Sequence, residues 1–166
     1  MPENITMDAL KNLAKQLGDE LNARGMILAL AESCTGGMAA MYVTAISGSS
    51  QWFDRGIVSY SNQAKMDLLK VNQHTLTYFG AVSEQTAQEM ARGVLQQSQA
   101  HIAGSITGIA GPDGGTPEKP VGTVCFAWLI DGKQMATATK IFQGDRQAIR
   151  QQAVEMLFQG LLRYLA

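Results

Sequence analysis

The stretch Ala29-Leu30-Ala31-Glu32-Ser33-Cys34-Thr35-Gly36-Gly37 decides how this chain is read. An apolar run from Met26 to Ala31 stops in small and polar residues, and a helix-forming pattern resumes at Met38. A buried strand that feeds a helix through a tight turn has this signature. Gly36 and Gly37 let the backbone approach a ligand closely. The helix after them directs free N–H groups and the positive end of its dipole at the turn. A serine at position 33 is then lifted out of a sheet beside backbone donors, where a nucleophile would sit. The same residues admit a plainer role, in which Ser33 or Thr35 caps the helix.

Working outward, Leu10, Leu13, Ala14, Leu17 and Leu21 predict an amphipathic helix over 6–23, closed by Arg24-Gly25. The helix after the turn is expected to run to Ile46. Gly56 to Tyr60 reads as a short buried strand, and Ser61-Asn62 as a helix start that puts Lys65 on the first turn. A short helix is expected over 73–78. Ser83 caps a clearer one, with Ala87, Met90, Ala91, Val94 and Leu95 on one face. Ile102 to Thr107 is a further strand and empties into the glycine-rich loop Gly108–Thr116. The run Val121–Ile130 meets Asp131-Gly132, a hairpin signal, and the return strand reaches Phe142. Gly144-Asp145 opens a last helix, with Ile149, Ala153, Met156, Leu157 and Leu161 facing inward. Alternating strands and helices with one terminal hairpin predict an α/β fold: a three-layer α/β/α sandwich whose sheet is mostly parallel with one antiparallel strand. The Ser33 turn, the 60–65 segment and the 108–115 loop then share the carboxyl rim, where ligands bind in such folds.

Composition narrows the classes. With 166 residues, 46% hydrophobic and 16% charged, the chain is expected to be one domain spanning 1–166. A net charge of −1 without a Lys/Arg cluster excludes the basic footprint of a nucleic-acid binder. No run approaches the ~18–20 apolar residues of a membrane span. The N-terminal residues lack a signal-peptide pattern, which points to the cytoplasm. Cys34 and Cys125 are too few for a disulfide framework, and the carboxylates are too scattered for a legible metal site. No cofactor is called for. Apolar residues near Trp52-Phe53 suggest a surface for a second copy of the chain.

A nucleophilic serine needs a base. His74 and His101 both fall away from the predicted rim, which argues against a Ser–His–Asp triad. Cys34 alternates away from Ser33 and reads as a small buried residue. Lys65 is the better base. Its ordinary pKa of ~10.4 must fall by about 3 units to act at neutral pH, and burial beside an apolar sheet drives that shift. Tyr60 is positioned to relay a proton or to hold Lys65. Ser61 is a rival nucleophile, an i,i+4 neighbour of Lys65, but lacks the donors of the Ser33 turn. Thr107 and the backbone of Gly108 to Gly111 can face a phosphate or carboxylate, although the loop is neither a Walker A loop nor a dinucleotide fingerprint. Arg146 lies in the first turn of the last helix, where a cation is unfavourable unless it serves an anion or pairs with Asp145 or Asp113. Arg150 follows one turn later.

Six segments occur in order: 31–37, 58–65, 80–84, 105–115, 119–124 and 144–146. Together they resemble the CinA C-terminal domain family, specifically its stand-alone nicotinamide-nucleotide amidohydrolases, from Leu10 to the end. The resemblance implies a cytoplasmic enzyme that hydrolyses the carboxamide of nicotinamide mononucleotide to nicotinate mononucleotide and ammonia. It implies a serine/lysine hydrolase with the family's serine, tyrosine and lysine at Ser33, Tyr60 and Lys65. Thr35, Gly36 and Gly37 are then expected to supply oxyanion donors, and Thr107, Gly108, Gly111 and Arg146 to hold the nucleotide. Larger relatives carry an extra N-terminal domain, for which 166 residues leave no room. Two alternatives stay open: a non-catalytic nucleotide-binding module with the same pocket, and an amidase for another small amide.

Overall fold

The computed structural model describes residues 6–131 and 135–166. Helix α1 (Met7–Arg24) starts at Thr6, whose hydroxyl accepts the Ala9 N–H at 3.1 Å, and stops at Gly25 in the left-handed conformation. Strand β1 (Leu28–Glu32) lies between β2 (Phe53–Val58) and β3 (Ile102–Gly108), parallel to both. Strand β4 (Thr123–Ile130) pairs antiparallel with β3, and β5 (Ala136–Ile141) antiparallel with β4. The order is β2-β1-β3-β4-β5, so β4 alone runs against the other four. The remaining helices are α2 (Met38–Thr44), α3 (Asn62–Leu69), α4 (Gln73–Phe79), α5 (Glu84–Gln96) and α6 (Arg146–Leu165).

The central strands are apolar on both faces because helices cover both. Leu28, Leu30, Ile102, Ile106, Val124, Phe126 and Trp128 pack on one side against α1, α2 and α6. The alternate residues Ala29, Ala31, Ala103, Cys125 and Ala127 meet α3, α4 and α5 on the other. The three-layer sandwich is the expected architecture.

Several boundaries move. Strand β1 is shifted to end at Glu32, and α2 ends at Thr44 instead of Ile46. Strand β2 occupies Phe53–Val58 instead of 56–60, which leaves Tyr60 beyond it. An edge strand exposes alternate residues, so Asp54 and Arg55 sit in it without breaking it, and an apolar-run criterion misses its first half. Strand β4 begins at Thr123, after Gly122 at φ 96. Gly132 of the hairpin signal lies outside the described residues. Trp52 is not at the surface: it is 2% exposed, and its ring fills the place of a side chain at Gly18, where an added Cβ would lie 2.5 Å from Trp52 Cζ2. Trp52 therefore adds no apolar surface for a second copy, and Phe53 beside it is half-buried. Among the described residues, no helix is long and apolar enough to cross a membrane.

Candidate active site

Because β1, β2 and β3 are parallel, their carboxyl ends meet on one rim, and each delivers a polar segment. The Ser33 N–H donates to the Ile106 carbonyl at 3.0 Å, and the Ser59 N–H to the Glu32 carbonyl at 2.8 Å, extending the sheet pairing into the loops. A cavity of about 250 Å³ opens there, with Ser33, Cys34, Lys65, Thr107, Gly111 and Arg146 in its wall.

Lys65 is 1% exposed. Its Nζ lies 2.9 Å from Ser33 Oγ and donates to the carbonyls of Ser59 at 2.8 Å and Tyr60 at 3.3 Å. Helix α3 sets this reach. Ser61 is its N-cap and accepts the Ala64 N–H at 3.0 Å, so the rival nucleophile is a structural cap. Lys65 is the fourth residue of that helix, just past the first turn. Burial pulls the Lys65 pKa below the ordinary lysine value. The opposing influence is Cys34, but burial pushes that thiol up to about 12. At neutral pH Cys34 is an uncharged thiol, and its negative charge is absent beside the amine.

The turn after β1 is built differently from the expectation. Glu32, fully buried, accepts the Thr35 hydroxyl at 2.7 Å, the Ala39 N–H at 2.9 Å and the Ala40 N–H at 3.0 Å. Its carboxylate occupies the positive end of α2 that the sequence reading had left for a ligand. Neither Ser33 nor Thr35 caps that helix; Gly37, at φ 98, is the N-cap without a side-chain bond. Gly36 donates its N–H to the Ser33 carbonyl at 3.0 Å, closing a β-turn over Ser33–Gly36. That N–H is engaged, and Thr35 is fully buried, so the turn residues bordering the cavity are Ser33 and Cys34. Arg150, from α6, grips the turn from outside: Nε donates to the Cys34 carbonyl at 3.1 Å and Nη2 to the Thr35 carbonyl at 3.0 Å.

Tyr60 faces Lys65 with its carbonyl. Its side chain is 62% exposed, and its hydroxyl accepts from Arg146 Nη2 at 3.0 Å. Arg146 Nη1 donates to the Gly111 carbonyl at 2.7 Å, so Arg146 joins two loops and pairs with neither Asp145 nor Asp113. Thr107, a residue of the cavity wall, donates its hydroxyl to the Ala81 carbonyl at 2.7 Å. At Gly108 an added Cβ would lie 2.8 Å from Val124 Cγ2, so packing alone requires glycine. His74 packs at a tilt against Tyr78 and His101 Nδ1 accepts the Ile27 N–H at 2.9 Å, both away from the cavity wall. Three contributors escaped the sequence reading: Glu32, Ser59 and the grip of Arg150. A carboxylate ending an otherwise apolar strand was the available signal for the first.

The site thus places a serine against a buried lysine on the carboxyl rim of an α/β/α sheet. The model of the CinA C-terminal domain matches residues 10–165, and the chain belongs to that family. Nicotinamide-nucleotide amidohydrolase PncC of Enterobacter agglomerans is 51% identical over 154 residues, covering 93% of this chain and 94% of that protein. The protein of the same name from Escherichia coli (strain K12) is 49% identical over 157 residues, covering 95% of each. Among solved structures, the competence/damage inducible protein CihA from Agrobacterium tumefaciens superposes with a TM-score of 0.91 at 40% identity over 98% of each chain.

Proposed function

We propose that this chain is a cytoplasmic nicotinamide-nucleotide amidohydrolase, hydrolysing the carboxamide of nicotinamide mononucleotide to nicotinate mononucleotide and ammonia. The observation that carries the reading is the 2.9 Å contact between Ser33 Oγ and a buried Lys65 at the cavity wall. The names of relatives near 50% identity support the substrate.

A neutral Lys65 has two N–H groups and one lone pair. The Ser59 and Tyr60 carbonyls take the two N–H groups, and the lone pair is left for the Ser33 O–H. Ser33 Oγ passes its proton to Lys65 and attacks the carboxamide carbon. The N–H of Cys34, the residue after the nucleophile, is the turn donor we assign to the oxyanion. Lys65 returns the proton to the amide nitrogen, the C–N bond breaks and ammonia leaves. Water then attacks the acyl-serine and gives a proton to Lys65, which passes it to Ser33 Oγ as the ester C–O bond breaks and the nicotinate nucleotide is released. Arg146 uses two of its five N–H donors within the protein, and the remainder, with the Thr107 oxygen and the 108–111 backbone, would hold the 5′-phosphate.

Ammonia release from nicotinamide mononucleotide tests this, with Ser33→Ala and nicotinamide riboside alongside. Release by the wild type only, with little from the riboside, is expected. Thermal stabilisation by the nucleotide without ammonia would leave a binding module; equal release from the riboside would leave an amidase of another specificity.

A further inference from the structure

We infer that Arg150 is a positioning residue for the nucleophile, holding the Ser33–Gly36 turn in the shape that presents Ser33 and the Cys34 N–H to the cavity. The inference rests on the serine-hydrolase reading above. Arg150 is not among the residues of the cavity wall. Its guanidinium instead binds the carbonyls of both central turn residues, Cys34 and Thr35.

Peptide groups are planar and trans, so fixing a carbonyl fixes the N–H of the next residue on the opposite side. Arg150 therefore sets the two peptide planes that follow Cys34 and Thr35. The second ends in the Gly36 N–H, which closes on the Ser33 carbonyl at 3.0 Å. That contact orients the third plane, between Ser33 and Cys34, and with it the Cys34 N–H. All three planes of the turn are thus tied to one side chain. The first turn residue also carries the Oγ that must lie on Lys65.

Gly36 closes the turn at φ +57, a left-handed conformation that glycine adopts without strain. The guanidinium also brings a positive charge to a turn that must accept a developing oxyanion. The Cys34 thiol feels that charge as a lowering influence against its burial. A lysine at 150 keeps the charge but cannot make the planar, two-carbonyl contact.

The test uses two readouts. One is steady-state turnover of nicotinamide mononucleotide. The other is covalent labelling by a fluorophosphonate, in which Ser33 Oγ forms a bond to phosphorus, the P–F bond breaks, fluoride leaves and the serine proton passes to Lys65. Arg150→Ala and Arg150→Lys are expected to lower kcat by about 10²-fold, as small misplacements of reacting groups do. KM should stay unchanged, the labelling rate should fall in parallel, and methylguanidinium added to Arg150→Ala should restore both rates. Wild-type labelling and turnover in folded Arg150→Ala would overturn the inference, as would a rise in KM with kcat intact. A wild-type protein that labels at Ser33 but releases no ammonia would remove the nucleotide substrate, and the labelling rates of the variants would still decide the role of Arg150.

Discussion

Replacing Glu32 by glutamine changes one atom's chemistry in a fully buried position. Glu32 Oε1 receives the Thr35 hydroxyl and the Ala39 N–H, and Oε2 the Ala40 N–H. If the amide oxygen takes the Oε1 place, two of those bonds persist as neutral ones. The amide NH₂ then faces the Ala40 N–H, donor against donor. A lost hydrogen bond to a charged group is worth about 1.5–3 kcal/mol, and a buried charge at a helix terminus up to about 2 kcal/mol. We therefore expect Glu32→Gln to lower stability by about 3 kcal/mol. For a chain of this size that corresponds to a melting temperature lower by about 6–12 °C. Urea unfolding should show the same loss as a shifted midpoint with unchanged m. Because Ser33 is the next residue, kcat should fall as well. A variant that unfolds at the wild-type midpoint and turns over normally would refute the claim that this carboxylate pins the turn.

Lys65→Met keeps much of the side-chain volume and removes the amine; it should fold and lose at least about 10³-fold in kcat, measured by ammonia release. In the wild type, kcat/KM should rise with pH along a limb set by Lys65, with its midpoint below the ordinary lysine value because burial disfavours the ammonium. The same shift acts on stability. Between the folded and unfolded pKa the unfolded chain binds the extra proton, so wild-type stability relative to Lys65→Met should rise as pH increases across that window. Arg146→Ala should raise KM for the nucleotide more than for the riboside, since both lose the tie between the two loops and only the nucleotide loses a phosphate contact. Gly160→Ala places a Cβ 2.2 Å from Trp128 Cε2, and unfolding should register a loss of about 1–3 kcal/mol.

The layers of the fold were legible because two-sided burial writes continuous apolar runs, as in Leu28–Ala31 and Ile102–Ala103. Strand β2 was less so, since an edge strand carries Asp54 and Arg55 in its exposed positions. Ser33 and Lys65 could be paired from sequence because the carboxyl rim of parallel strands is a topological certainty once the strands are placed. What lay beyond reach were contacts between segments far apart in sequence. Arg150 and Cys34 are 116 residues apart, and only the packing of α6 against α2 brings them together. The Gly36 N–H, expected to face an oxyanion, closes the β-turn on the Ser33 carbonyl, a local bond that the residue types alone do not reveal. The Tyr60 hydroxyl, expected beside Lys65, instead meets Arg146, a residue from the far end of the chain.

The alanines on one face of the sheet bear on substrate choice. Ala29, Ala31, Ala103 and Ala127 let the helical layer of α3–α5 settle close to the strands, and Ser105 and Thr107 fasten it there through the Ala87 and Ala81 carbonyls at 2.6 and 2.7 Å. Ala81 and Val82 are also wall residues of the cavity. The width of the binding slot is therefore a floor-height problem: bulkier residues under α5 would raise one wall without touching the dyad. Designed variants for wider amides can be sought at Ala103 and Ala127, on strands other than the one that leads into Ser33.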